Sequence, residues 1–313
     1  MLFHFLKTTS IYDSISGSNV AWNTTGQTVA GTGVAGSAAN QLSSPWNLYV
    51  DANKNLYIAD SANHRIQYWP ASASSGTTIA GVSGSSGSST SQLNEPSDIT
   101  VDANGNFYVA DRGNSRIQFF RNGTTTGSTV SSSWGSVGGF RGVQVTSSGI
   151  IYGSDTTNHV LWRNNSRVLN NSHQLNGNQG IALDTTVNSG YLYIANTNQH
   201  TVLQWIPVSS SATVVAGTNG VSGSSNSTLR APVAVRLDLW GNLYIVDNNN
   251  HRIQLYCRYP TVTTTGRTIV GTGSLGSTST TLNYPTGLAV DNDLNLYVAD
   301  TSNHRIQKFS RLP

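Results

Sequence analysis

The chain has 313 residues, 10% of them charged, and a formal net charge of +3 at pH 7. This length allows two domains or one closed all-β domain. The small positive surplus gives little support to a nucleic-acid partner, which usually requires a clustered basic stripe. The single cysteine, Cys257, excludes an intramolecular disulfide and a multi-cysteine metal site. No apolar run reaches the roughly 18 residues of a membrane-spanning helix.

Residues 1–18 match none of the repeats described below, and we predict that they form a poorly ordered N-terminal extension ahead of a propeller over 19–313. Their opening, MLFHFLKTTS, has a short apolar patch but lacks a full hydrophobic region and a small-residue cleavage site. There is no clear signal peptide. The compartment stays open, with an extracellular or secreted location favoured.

The first predicted strand is QTVAG at 27–31, and a set of repeats follows it. Arg-Ile-Gln triplets begin at 65, 116, 252 and 305, and weaker copies around His159 and His200 fill the gap. Successive copies lie 41 to 53 residues apart. A period of this length is typical of propeller blades.

Each repeat is predicted to contain four strands; in the second they cover 99–102, 106–111, 115–120 and 128–130. Alternating apolar residues, aromatic and β-branched side chains and Gly/Asn turns such as DANGN mark them. No segment shows a helical apolar period over 11 residues, so we expect almost no helix. Apolar positions shared by the inner strands are predicted to form the core: Leu48, Ile99, Val143, Ile181, Val235 and Leu288.

Ring closure follows from counting outer strands. The sixth repeat ends at 304–309 without an outer strand, whereas strand 27–31 has no repeat before it. We therefore predict an all-β, six-bladed β-propeller of four-stranded antiparallel blades, in which the N-terminal strand (27–31) completes the last blade and removes the open edges.

Repeats such as GLAVDNDLNLYVADTSNHRIQKF (287–309) resemble NHL repeats, the units of six-bladed NHL propellers. The resemblance covers roughly 27–309. It is specific in blades 1, 2, 5 and 6, whereas blade 3 has lost Arg-Ile-Gln and blade 4 has Asn196 in place of aspartate. It implies a propeller fold and, commonly, use as an interaction domain.

A recurring Asp-x-x-Asn-His-Arg element lies at the turn between the second and third strands of a blade. Aspartate, histidine and arginine so close together suggest a metal or acid/base site, but equivalent histidines of a sixfold ring lie about 15 Å or more apart, too far to share one zinc ion. We predict a structural motif in which Asp and Asn cap turn N–H groups and Arg and His bond between blades. Its residues are Asp60, His64, Arg65, Asp111, Arg116, Asp247, His251, Arg252, Asp300, His304 and Arg305.

Function is predicted where the repeats diverge. Four long loops, at 31–45, 81–96, 217–232 and 271–285, end in Leu-x-x-Pro and lie on the same face as the Asn-His turns. The inner strands that follow differ from blade to blade at the mouth of the axis. The candidate ligand-binding residues there are Trp46, Asp98, Arg141, Gln179 and Arg236, and the alternative is that they only fill and hydrate the channel.

Three functions stay open. The favoured one is a non-catalytic binding or scaffold propeller for a protein, peptide or glycan, with no catalytic residue, metal or cofactor. The second is a metalloenzyme similar to the peptide-amidating lyases, whose propeller carries an axial zinc on three histidines; here only His173 is placed to approach the axis. The third is RNA binding, known among NHL domains, but most arginines belong to the structural motif, so a nucleic-acid partner is not expected.

Overall fold

A computed structural model describes residues 20–131, 134, 138–170, 175–185, 190–207, 209–258 and 265–313. These residues form six four-stranded antiparallel sheets. Successive inner strands contact one another around a closed circle, in which the last inner strand also contacts the first. The predicted all-β six-bladed propeller is therefore confirmed.

The strands follow the chain from the axis outwards within each blade. Blades 1 to 3 contain β2 (Pro45–Val50), β3 (Leu56–Asp60), β4 (Arg65–Trp69) and β5 (Thr77–Gly81); β6 (Pro96–Val101), β7 (Phe107–Asp111), β8 (Arg116–Phe120) and β9 (Ser128–Thr129); β10 (Phe140–Val145), β11 (Ile151–Asp155), β12 (Val160–Arg163) and β13 (Ser166–Leu169). Blades 4 to 6 contain β14 (Asn178–Leu183), β15 (Leu192–Asn196), β16 (Thr201–Trp205) and β17 (Ala212–Gly217); β18 (Pro232–Leu237), β19 (Leu243–Asp247), β20 (Arg252–Tyr256) and β21 (Arg267–Val270); β22 (Gly287–Val290), β23 (Leu296–Asp300), β24 (Arg305–Phe309) and β1 (Gln27–Ala30).

The ring closes as predicted from the sequence. Strand β1 pairs antiparallel with β24, and Gln27 lies opposite Lys308. A strand from the start of the chain thus completes the sheet made by its end, so unfolding of either terminus opens the same blade.

Residues just before β1 strengthen this closure, which the sequence did not indicate. Trp22 is buried, donates its indole N–H to the Leu294 carbonyl at 2.6 Å, and forms an isolated bridge with Arg311. Its ring meets Tyr244 edge-on at 5.8 Å. The predicted extension 1–18 lies outside the described residues.

The core consists of apolar side chains packed between neighbouring sheets. All six shared inner-strand positions predicted as core, from Leu48 to Leu288, are buried. Alternation along each strand sends one set of side chains to each face of a blade, and in a ring both faces meet a neighbouring blade. This explains why the strands are largely apolar on both faces.

Helical geometry in the described part of the chain is confined to single 3-10 turns, as expected. Each turn occupies the three residues after the second strand of a blade, and the residue that follows is left-handed: His64, Ser115, His200, His251 and His304. His159 of blade 3 also has a positive φ of 56°. No helix in the described part is long and apolar enough to cross a membrane.

Candidate functional site

The mouth of the axis is built from β-bulges at the start of the inner strands. Register shifts against the second strand place extra residues at Trp46 in β2, Arg141 in β10 and Gln179 in β14. A bulge bends its strand and re-aims the side chain of the extra residue, and bulges are frequent next to functional sites. The divergent column identified in the sequence therefore coincides with a repeated irregularity of the backbone.

Two arginines meet the Trp46 ring at this mouth. The guanidinium carbon of Arg141 lies 4.7 Å from the ring centroid and that of Arg112 lies 5.9 Å from it. Arg112 also forms a close ion pair with Glu95. We call Trp46, Glu95, Arg112 and Arg141 the mouth cluster; it joins residues of blades 1, 2 and 3.

Arg141 is the least compensated charge of the mouth cluster. Burial and the nearby charge of Arg112 lower its pKa to about 10, although the charge of Glu95 opposes both effects. Beside it lies a cavity of about 270 Å³, lined by residues of blades 2 and 3: Arg112, Gly113, Ser115, Gly139, Arg141, Thr156 and Thr157. We call this cavity the Arg141 pocket.

Asp98 lies further along the channel than the mouth cluster and is completely buried. Its carboxylate accepts the Asn47 side-chain amide at 2.7 Å and the Ile99 and Val143 N–H groups at 2.9 Å each. Arg236 approaches it to 3.5 Å. Asp98 therefore links blades 1, 2 and 3 to blade 5 on the opposite side of the ring.

Arg236 and Gln179 fill other parts of the channel wall. Arg236 also donates to the Val235 and Ile181 carbonyls, at 2.9 and 3.3 Å. The buried Oε1 of Gln179 has no hydrogen-bond partner among the described residues. Of the five predicted mouth residues, the structure brings only Trp46 and Arg141 into direct contact with each other and Asp98 and Arg236 into a second pair. A ligand contact by any of the five residues stays a prediction.

The repeated Asp-x-x-Asn-His-Arg element ties each long loop to its blade. In blade 1, Asp60 accepts the Ser43 N–H at 2.7 Å and the side chains of Asn63 and Arg65 at 2.8 Å each. Arg65 then donates to loop carbonyls at Ser37, Ala38 and Gln41. The same aspartate–arginine pair occurs in three further blades, at Asp111–Arg116, Asp247–Arg252 and Asp300–Arg305.

Blade 4 shows that the loop can be held without the aspartate and the arginine of this element. Asn196 replaces the aspartate there and still accepts the Asn176 N–H at 2.7 Å. Thr201 stands where other blades have arginine. An amide oxygen suffices where no arginine follows, because the acceptor then has no cation to balance.

The histidines of the element connect consecutive blades. In each of five blades the Nδ1 atom accepts a backbone N–H of the loop that enters the next blade, at 2.9 to 3.2 Å. The donors are Glu95, Gly177, Ala231, Tyr284 and Ser44. An accepting Nδ1 requires the neutral ring, with its proton on Nε2.

This arrangement predicts a loss of stability in mild acid. Burial lowers the pKa of His251, and Arg230 lowers it further. The folded protein therefore binds fewer protons than the unfolded chain, so the contribution of neutral His251 is fully present above about pH 6.5 and is lost as the pH falls through the lower folded value. Urea unfolding at pH 7.5 and 5.0 should give a smaller pH dependence in His251→Asn, since asparagine tolerates the left-handed backbone. An unchanged pH dependence would contradict this role.

Sequence reasoning missed the place of Arg112 and Glu95 in the mouth cluster. Arg112 occupies the first position after the aspartate, where the other blades carry small hydroxyl or amide side chains: Ser61, Thr156, Thr197, Asn248 and Thr301. Four of these bond carbonyls at the start of the next inner strand. The presence of an arginine at a position that is otherwise small and polar could have indicated a functional role for Arg112. For Glu95, only its charge could have indicated such a role.

No group of three or more His, Cys, Asp or Glu side chains that could hold a metal ion occurs in the described part of the chain. The motif histidines are committed to backbone contacts between blades. His173, the residue predicted to approach the axis, lies outside the described residues.

Comparisons with known proteins agree with the fold. The NHL repeat model matches residues 42–68, 93–120 and 282–309. NHL repeat-containing protein 3 of Mus musculus is 36% identical over 83 residues, which are 26% of this chain and 23% of that protein, so the match spans about a quarter of its length. An auxiliary nutrient binding protein from Bacteroides thetaiotaomicron has a TM-score of 0.70 at 16% identity, covering 91% of this chain and 76% of the other. A gluconolactonase from Xanthomonas campestris has a TM-score of 0.64 at 12% identity, covering 87% of each chain.

The fold and the axial mouth define a six-bladed β-propeller. Three of its blades match the NHL repeat model, so these blades carry NHL repeats, as the resemblance of the repeats indicated. The two solved structures, at 16% and 12% identity, share the fold alone.

Proposed function

We propose that residues 19–313 form a non-catalytic binding propeller, with 1–18 as an extension, that presents its loop-rich face and axial mouth to a protein, peptide or glycan. The observation that carries this proposal is the mouth cluster. The six inner strands share a buried apolar position, and five of them carry a β-bulge near their start. The residues at these bulges differ from blade to blade, and Trp46 and Arg141 place an aromatic ring and a cation at the mouth. Variation on a rigid frame is typical of recognition sites.

The composition of the long loops supports the same proposal. They are rich in Ser, Gly and Thr, and four aliphatic side chains on them are exposed: Val34, Val82, Val221 and Leu275. Adaptable polar loops with a few apolar contacts are typical of binding surfaces. Because the Asp–Arg element holds the loop bases, the loops offer a defined surface.

The test is binding of the purified chain to glycan and peptide arrays, with Trp46→Ala/Arg141→Gln as the mouth variant and Arg121→Gln, an exposed arginine outside the long loops, as the control. We expect a hit that the mouth variant loses and the control keeps. A hit kept by both variants would move the site to the loops. The absence of any hit in both arrays would contradict the proposal.

Metal content separates this function from a lyase-like metalloenzyme. We expect well below one equivalent of zinc or calcium per chain after purification without chelators, because the motif histidines accept backbone N–H groups and are not free to ligate. Elemental analysis of the array sample measures this directly. About one zinc per chain would overturn the non-catalytic proposal.

A further inference from the structure

We infer that the Arg141 pocket binds a carboxylate group of the partner. The inference rests on the proposed function and narrows it, because it names the chemical group that the mouth recognises. The pocket is bordered by the two arginines of the mouth cluster and by hydroxyl groups of Ser115, Thr156 and Thr157.

The charges of the mouth cluster favour binding of an anion. The mouth cluster contains two cations and one anion, and Glu95 is engaged by Arg112. Arg141 has no ion pair with a carboxylate among the described residues; its contact is the Trp46 ring. One positive charge is therefore uncompensated, and a partly buried cation gains from an anion more than an exposed one does.

The pocket is also bordered by hydrogen-bond donors. The Nε atom of Arg112 is buried and has no partner in the described part of the chain. The Arg141 guanidinium and the Ser115 hydroxyl line the pocket as further donors. A guanidinium offers paired N–H groups in a plane, which match the two oxygens of a carboxylate. Trp46 holds the Arg141 guanidinium against its ring, so little side-chain freedom is left to lose on binding.

The volume of the pocket limits the size of the group that it can bind. A cavity of about 270 Å³ lies near the lower end of ordinary ligand pockets, which begin at about 300 Å³. This volume suits one sugar ring or one amino-acid side chain. The carboxylate of a uronic acid and that of a glutamate side chain are two sources of the same group.

The experiment is calorimetric or NMR titration of the full chain with two matched pairs of probes. Methyl glucuronide is compared with methyl glucoside, and N-acetylglutamate amide with N-acetylglutamine amide; methyl phosphate tests charge without a carboxylate. We expect at least one acid to bind and its neutral partner to bind at least about tenfold more weakly, with affinity falling as salt is added. Binding of the glucuronide alone assigns a glycan source, and binding of the glutamate alone a peptide source.

Variants locate the binding. Arg141→Gln should weaken binding of the acid about tenfold or more, Arg141→Lys should weaken it less, and Arg121→Gln, outside the long loops, should leave it unchanged. Equal binding of acid and neutral probes, tighter binding of methyl phosphate, or insensitivity to Arg141→Gln in a variant with normal thermal unfolding would overturn the inference. Binding of neither acid would also overturn it, while a neutral array hit lost in the mouth variant would still uphold the proposed function.

Discussion

Replacing Asp98 with alanine is expected to lower the free energy of unfolding by about 3–5 kcal/mol, the usual loss when one partner of a buried ion pair is removed. The substitution leaves the Ile99 and Val143 N–H groups and the Asn47 amide without their acceptor inside the ring. It also leaves Arg236 without its carboxylate. Chemical denaturation of the wild type and the variant measures the loss.

The matched control is Asp102→Ala in the same blade. Asp102 accepts the Asn104 and Asn106 N–H groups at 2.9 Å each in a surface turn, so its loss should be about 1 kcal/mol. Adding Arg236→Met to Asp98→Ala should recover part of the stability, because no unpaired charge is left, with a coupling energy of about 0.5–3 kcal/mol. Equal losses for Asp98→Ala and Asp102→Ala would show that the network at the axis contributes little.

The same carboxylate gives stability a defined pH dependence. Burial raises the pKa of Asp98 to about 6, although Arg236 and three hydrogen bonds oppose this. The folded protein then holds a proton that the unfolded chain releases near pH 3.8. The stabilisation that comes from protonated Asp98 is therefore fully present below pH 3.8 and is lost as the pH rises to about 6. Arg236→Met removes the main opposing charge and should move the upper end of this window to higher pH.

Arg65→Met is expected to have the second large effect, also a loss of about 3–5 kcal/mol. Arg65 is buried, and its guanidinium bonds the Asp60 carboxylate, three loop carbonyls and the Ser83 hydroxyl. Methionine keeps much of the apolar stem but leaves Asp60 buried without a cation. Since Arg65 lowers the pKa of Asp60 against the effect of burial, that pKa should rise in the variant. Denaturation gives the stability, and hydrogen exchange should show faster opening of residues 31–45.

Arg305→Met is the control in blade 6. Arg305 pairs with Asp300 at 2.8 Å in the same way but donates to one loop carbonyl, that of Thr278. We expect a smaller loss than in Arg65→Met, since fewer carbonyl groups lose a donor. If both variants lost the same free energy of unfolding, the additional loop contacts of Arg65 would not contribute to stability. The ion pair with aspartate would then account for the whole loss.

Local and repeated features made the fold predictable. Alternation, Gly/Asn turns and the 41- to 53-residue period depend on neighbouring residues, so the strands and their number could be found without knowledge of distant contacts. Strand 27–31 could be assigned to blade 6 because one outer strand was in excess and one was missing. The role of Trp22 in ring closure was not predicted, because no repeat unit contains this residue and its partner Leu294 lies at the other end of the chain.

The candidate site was predictable only as a region. By itself the sequence determined an all-β six-bladed ring, its closure, its core positions and the column of residues at the mouth, since all of these follow from periodicity. Only the tertiary structure decided which members of that column meet. β-Bulges re-aim Trp46 and Arg141 toward each other, and Asp98 pairs with Arg236 across the axis. Both contacts join different blades, whose distances depend on how six sheets pack around the axis and not on spacing along the chain.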